Sequence, residues 1–279
     1  MFSVSVPLHR PRRVLARGLA SPLRALILVS AVYLVTLALL PLHGIWINDN
    51  GNRLILLQGI IASNYRDYSI PWAGSAVDPS LSHAPISSPF GVVRDGRLFS
   101  LYSPVFPTVA SPFFRLLGWP GLYVLPLAAS VVMLAGLAKL MDTLEAGGRA
   151  KTYAILIAGL ATPIWFYSET FWEHTLAVCL VVWALVFVMR FLREASSGGG
   201  LRRDLLTGAA LLALAIYFRD DLYSMLAALL VVLLFRAPQS RLKAAALFLA
   251  ATIAALLPLW LFQWKAVGAP FGLHLQTLL

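Results

Sequence analysis

The chain has 279 residues, of which 59% are hydrophobic and 12% charged, with a mean hydropathy of +0.80. A soluble domain carries about 25% charged residues, so this composition excludes an ordinary soluble globular protein. The net charge of +10 would suggest nucleic acid in a soluble chain. Here the basic residues gather at the ends of apolar runs, so the charge reads as membrane topology and no nucleic acid is expected as a partner.

The basic start, 1–24, leads into the apolar run 25–46. That run is longer than the 7–15 residues usual for a signal peptide and no A-x-A-like cleavage site follows, so a retained first helix is expected. Further charge-free stretches at 116–138, 152–168 and 244–264 approach the roughly 20 residues that a spanning helix needs. Those at 175–189, 205–218 and 222–235 reach it only if flanking Arg and Lys snorkel to the interface. The expected fold is all-α: one transmembrane domain of about seven helices over 1–279, with a long first extracytoplasmic loop carrying interfacial helices.

With the N-terminus in the cytoplasm, 15 of the 22 basic residues fall on inner segments. Bias of Lys and Arg in short loops sets orientation, so that placement is expected. The outer loop then covers 47–115. It opens with an amphipathic helix near 52–62 and passes a Ser/Pro-rich middle at 75–90. Asp95-Gly96 between Val93 and Leu98 predicts a hairpin turn. The stretch 98–114 is free of charge, but Pro104, Pro107 and Pro112 disfavour a spanning helix, so it reads as interfacial. The segment 196–200, "SSGGG", reads as a flexible inner loop, and the lone Cys179 lies in an apolar segment and allows no intrachain disulfide.

Eight of the 12 acids fall on the outer side. Three groups stand at helix mouths: Asp49 after the first helix, "ETFWEH" (169–174) and "RDD" (219–221). Ionisable residues at membrane depth are costly and mark candidate functional sites. Arg219 suits bidentate phosphate binding, or it caps the hairpin by pairing with Asp220 or Asp221. Glu169 and Glu173 are spaced to share a helix face. Glu173 and His174 could bind a substrate or sit in a solvated interfacial turn; as adjacent ligands without a third they are a weak metal signal. Asp49 suits a general base or an N-cap of the following helix. Nucleotide-hydrolase, serine-hydrolase and zinc-protease motifs are absent.

Several stretches resemble the GT-C class of membrane glycosyltransferases, closest to the protein O-mannosyltransferase and aminoarabinose transferase branch. They are Asp49 with the helix after it, "LYSPVFPTVASPFFRLLG" (101–118), "PIWFYSETFWEHTLA" (163–177), "LAIYFRDDLYSMLAAL" (214–229) and "WKAVGAPFGLH" (264–274). The resemblance implies transfer of a sugar from a polyprenyl-phosphate carrier to a glycan, lipid or protein acceptor on the extracytoplasmic face of a bacterial inner membrane, with no cofactor or metal. It makes Asp49 the general base and Arg219 the ligand of the carrier phosphate. Asp220, Asn50, Asn52, Tyr102, Glu173 and His174 then belong to the substrate site, the asparagine amides bonding sugar or acceptor hydroxyls. Two positions depart from the family pattern: Asn50 stands where a second acid is common, and Asp220 where proline follows the arginine. Family members continue with more helices, so an N-terminal portion of a longer enzyme is expected. The competing expectations are a transporter or lipid flippase using Arg219, Asp220 and Asp221, and a non-catalytic membrane scaffold.

Overall fold

The computed structural model describes residues 21–45, 47–84, 86, 90–196, 202–237 and 241–274. Most of the basic start, positions 197–200 of the expected inner loop and the last five residues lie outside the described residues. The described chain is mostly helical. In order it forms α1 (Pro22–Leu39), α2 (Asn48–Ala62), β1 (Gly91–Arg94), β2 (Arg97–Ser100), α3 (Val105–Leu117), α4 (Gly121–Thr143) and α5 (Gly148–Leu160). After these come α6 (Ile164–Ser168), α7 (His174–Ser196), α8 (Arg202–Phe218), a 3₁₀ turn (Asp220–Leu222), α9 (Tyr223–Arg236) and α10 (Arg241–Val267).

Among the described residues, four helices are long and apolar enough to cross a membrane: α1, α4, α7 and α10. On α1, the stripe Ala25, Val29 and Tyr33 is buried at helical spacing, while Leu23, Ile27, Leu34 and Val35 stay exposed. In water such exposure would be costly; against lipid it is the expected outer face. The count of about seven spans is not reached by length. Helices α5, α8 and α9 have 13, 17 and 14 residues, and 13 residues rise only about 20 Å against a hydrocarbon core of about 30 Å.

Two expected spans changed length for identifiable reasons. The stretch 152–168 is not one helix: α5 stops at Leu160 and α6 begins only after Pro163. Proline lacks the amide proton and drives the residue before it out of helical conformation. Conversely, 175–189 grows into the 23 residues of α7, because Arg190 and Arg193 reach polar partners at its far end. Arg190 lies 3.4 Å from Asp204, and Arg193 pairs with Glu145. Lys151 and Asp142 meet at the same end. The C-termini of α1, α8 and α10 and the N-termini of α4 and α7 gather at the opposite end. There Tyr123 donates to the Leu42 carbonyl and Arg94 to the Val267 carbonyl.

The segment 47–115 folds onto that end. Helices α2 and α3 pack through Leu54, Leu57, Phe106 and Ala110 against Leu122, Tyr123 and Phe171. Asp95 and Gly96 take φ of 51° and 70°, the left-handed pair of a two-residue hairpin turn. The two strands pair antiparallel, Gly91 with Ser100 and Arg94 with Arg97. Gly121, which opens α4, admits no side chain because a Cβ would meet the Phe113 carbonyl. That close approach sets the sharp passage from α3 into α4.

Candidate functional site

An open cavity of about 240 Å³ lies where the helix mouths converge. Six sequence-expected site residues line it: Asp49, Tyr102, Glu173, His174, Arg219 and Asp220. They come from four separate segments: the first turn of α2, the end of the hairpin, the entry to α7, and the α8–α9 turn.

One side is organised by Arg53, which sequence reasoning passed over. It lies one turn beyond Asp49, an i, i+4 spacing that brings the two onto one face. Its Nε and Nη2 donate to the two oxygens of Glu173, each at 2.5 Å. Its Nη1 donates to the Asp49 carbonyl at 3.1 Å, and the guanidinium lies 4.2 Å from the centre of the Tyr102 ring. The Arg53 and Glu173 side chains are only 3% and 6% exposed. A pair so buried needs this bidentate geometry to offset the loss of water. The Tyr102 hydroxyl reaches both Asp49 carboxylate oxygens at 3.3 Å. Burial first, and the Asp49 charge second, push the Tyr102 phenol above its ordinary pKa, so it stays the donor in that contact. The Asp49 side chain keeps 17% exposure and faces the cavity.

Across the cavity, Arg219 donates through Nε and Nη2 to the two oxygens of Asp221, at 3.0 and 2.8 Å. Its Nη1 lies 2.6 Å from Nε2 of His174. A guanidinium only donates, so Nε2 accepts and the imidazole proton sits on Nδ1. That atom is buried with no hydrogen-bond partner among the described residues. His174 stacks on Tyr167 at 4.7 Å and leans on Trp172 at 4.0 Å. The Arg219 guanidinium holds the Asp221 carboxyl below the usual carboxylate range. Asp220 takes another partner, Nδ1 of His274, at 3.1 Å from each oxygen.

Several expectations need correcting. Asn50 and Asn52 do not line the cavity; they are 2% and 4% exposed and turn into the protein. Asn50 lies one turn before Leu54 and Asn52 one turn before Leu56, and both leucines are buried. Asp49 is no N-cap either. Ile47 holds that position, and Asp49 sits in the first turn, where its charge favours the positive end of the helix dipole. Glu169 and Glu173 share no helix face, because both lie in the link between α6, which ends at Ser168, and α7, which begins at His174. Glu169 bonds Thr36 and Trp165 instead. Of the remaining outer acids, Asp67 pairs with Arg97 and Asp78 accepts backbone amides of its own loop, so neither belongs to the cavity.

His274 joins Arg53 as a lining residue that the sequence did not single out, and only the fold reveals it. Asp221, which the sequence offered as a hairpin partner of Arg219, lines the cavity and makes that pairing. Both oxygens of Glu173 serve Arg53 and Nε2 of His174 serves Arg219, which leaves that adjacent pair ill-suited to hold a metal. Chemically the cavity offers a partly exposed carboxylate beside a phenol on one side and an oriented guanidinium on the other. No protein-family model, no curated protein and no solved structure matches this chain.

Proposed function

We propose that the chain is a membrane glycosyltransferase of the kind its motifs resemble, moving a sugar from a polyprenyl phosphate to a hydroxyl acceptor. The observation that supports this most is the meeting of Asp49 and Arg219, 170 positions apart in sequence, in one cavity at the end of an apolar bundle. A lipid-borne sugar keeps its phosphate at headgroup level while its tail stays in the bilayer. The acceptor hydroxyl gives its proton to the Asp49 carboxylate as its oxygen attacks the anomeric carbon. The bond from that carbon to the phosphate oxygen breaks, and the electron pair leaves on the phosphate. Arg219 offsets the charge that develops there, and Tyr102 and Arg53 hold Asp49 in position.

In this reading seven helices cross a bacterial plasma membrane, the N-terminus is cytoplasmic and 47–115 lies outside. The short helices α5, α8 and α9 are completed by snorkelling residues at their ends. Cysteine labelling checks the orientation, since the native Cys179 is buried. Cysteines at Ser82 and Ala150, both exposed, should differ on intact cells: an impermeant maleimide should reach Ser82→Cys only. Labelling of Ala150→Cys alone would reverse the topology.

The phosphate site has its own test, with farnesyl phosphate as the probe. Arg219→Lys keeps the charge but loses the planar fork, so the affinity should drop, and Arg219→Ala should drop it further. Equal affinity of wild type and Arg219→Ala would remove the assigned role. If Arg219 is a hairpin cap alone, the variants lose stability while whatever protein folds still binds.

A further inference from the structure

The phosphate-binding edge of Arg219 is already taken. Asp221 fills it with two parallel hydrogen bonds at 3.0 and 2.8 Å, the geometry by which a guanidinium also grips a phosphate. The third nitrogen is engaged by His174 at 2.6 Å. These bonds use three of the five N–H donors of the guanidinium, and a phosphate gains the Nε–Nη2 edge only by displacing Asp221. The two partners differ in freedom. His174 is wedged against Tyr167 and Trp172, whereas the Asp221 side chain is 51% exposed on a three-residue turn. The carboxylate can swing into water while the imidazole holds the guanidinium in place.

We propose that Asp221 is a built-in competitor for the lipid phosphate, a residue that sets which anions Arg219 accepts and how readily the phosphate product departs. The inference rests on the reading of the cavity as a lipid-phosphate site. A ligand with one carboxylate gains little at the fork, because it exchanges one carboxylate for a tethered copy. A phosphate monoester brings a charge of about −1.5 to −2 and three acceptor oxygens, so it can win the exchange. The donor, a phosphodiester, carries one negative charge and the product monoester carries more. Without a competitor the product would outbind the donor and stay; the Asp221 carboxylate returning to the fork helps to expel it.

The test is calorimetric titration of farnesyl phosphate into the purified full chain in detergent, with farnesol as the uncharged reference. Asp221→Asn should tighten farnesyl phosphate binding by up to about fivefold, the upper range of an exposed ion pair, and leave farnesol binding unchanged. Asp220→Asn removes the same charge one residue away but from a carboxylate bound to His274, so it should tighten binding less. Affinity for Asp221→Asn equal to or weaker than wild type overturns the proposal. So does tightening by Asp220→Asn as large as by Asp221→Asn, which would reduce the effect to general electrostatics. The two readings fail differently. Loss of binding in Arg219→Ala with no gain in Asp221→Asn sinks the competitor alone, while full binding by Arg219→Ala sinks the phosphate site and the competitor together.

Discussion

Asp49→Asn is expected to lower sugar transfer by about 10²- to 10⁴-fold, the usual contribution of a positioned general base, while the protein folds and binds farnesyl phosphate as before. The change keeps size and shape, and the Tyr102 hydroxyl still has an oxygen to bond at the position it now reaches at 3.3 Å. No cap is lost, because Ile47 is the N-cap of α2 and its side chain makes no capping bond. What disappears is the ability to take a proton from the acceptor hydroxyl. Asp49→Ala should lose turnover to the same degree and also cost stability, because it removes the helix-dipole interaction of about 0.3–1 kcal/mol, the acceptor of the Tyr102 hydroxyl and the carboxylate 3.8 Å from Arg53. Near-normal transfer by Asp49→Asn would move the base elsewhere in the cavity. Tyr102→Phe supplies the companion measurement, since it frees the carboxylate from its phenol donor without removing it. A modest fall in rate is expected there, well short of the Asp49→Asn effect.

The second large effect lies in stability. Arg53→Met leaves Glu173 in a site where its side chain is 6% exposed, and breaking a buried ion pair on one side costs about 3–5 kcal/mol. Glu173→Gln removes the charge partner from the other side, a smaller loss because Arg53 keeps one acceptor oxygen there and the Asp49 carboxylate at 3.8 Å. The double variant Arg53→Met, Glu173→Leu removes both charges, and apolar replacement of a whole buried pair is often neutral or better. Thermal unfolding in detergent should therefore show two unstable single variants and a double variant close to wild type. Turnover should not follow stability. Arg53 also holds the Asp49 carbonyl at 3.1 Å, so the double variant should fold well and still transfer slowly. A double variant with normal turnover would limit Arg53 to a structural role.

The parts of this architecture legible in the sequence are those decided by local chemistry. Asp95-Gly96 marks the hairpin because both residues accept the left-handed backbone that a two-residue turn requires. The acids at helix mouths mark the cavity because charge-free helices leave few other places for carboxylates. Pairing across the chain was illegible. Nothing local links Arg53 to Glu173, 120 positions on, although the pair builds one wall of the site. The resemblance alone places Asn50 and Asn52 at the substrate, and α2 buries both amides together with Arg53. Helix length misled where one residue decides it, as Pro163 does by ending α5 early. Arg190 and Arg193 do the reverse, letting α7 run past the charge-free stretch.

The central claim is that this cavity breaks the bond between a sugar and a polyprenyl phosphate. The direct measurement is release of free polyprenyl phosphate, followed by mass spectrometry, when the purified chain in bilayer nanodiscs meets a panel of polyprenyl-phosphate hexoses and pentoses together with a hydroxyl acceptor lipid. The account predicts that at least one donor yields polyprenyl phosphate and glycosylated acceptor in equal amounts, and that Asp49→Asn slows both alike. Release of polyprenyl phosphate at the same rate by wild type and Asp49→Asn, or from no donor that the wild type demonstrably binds, would contradict it.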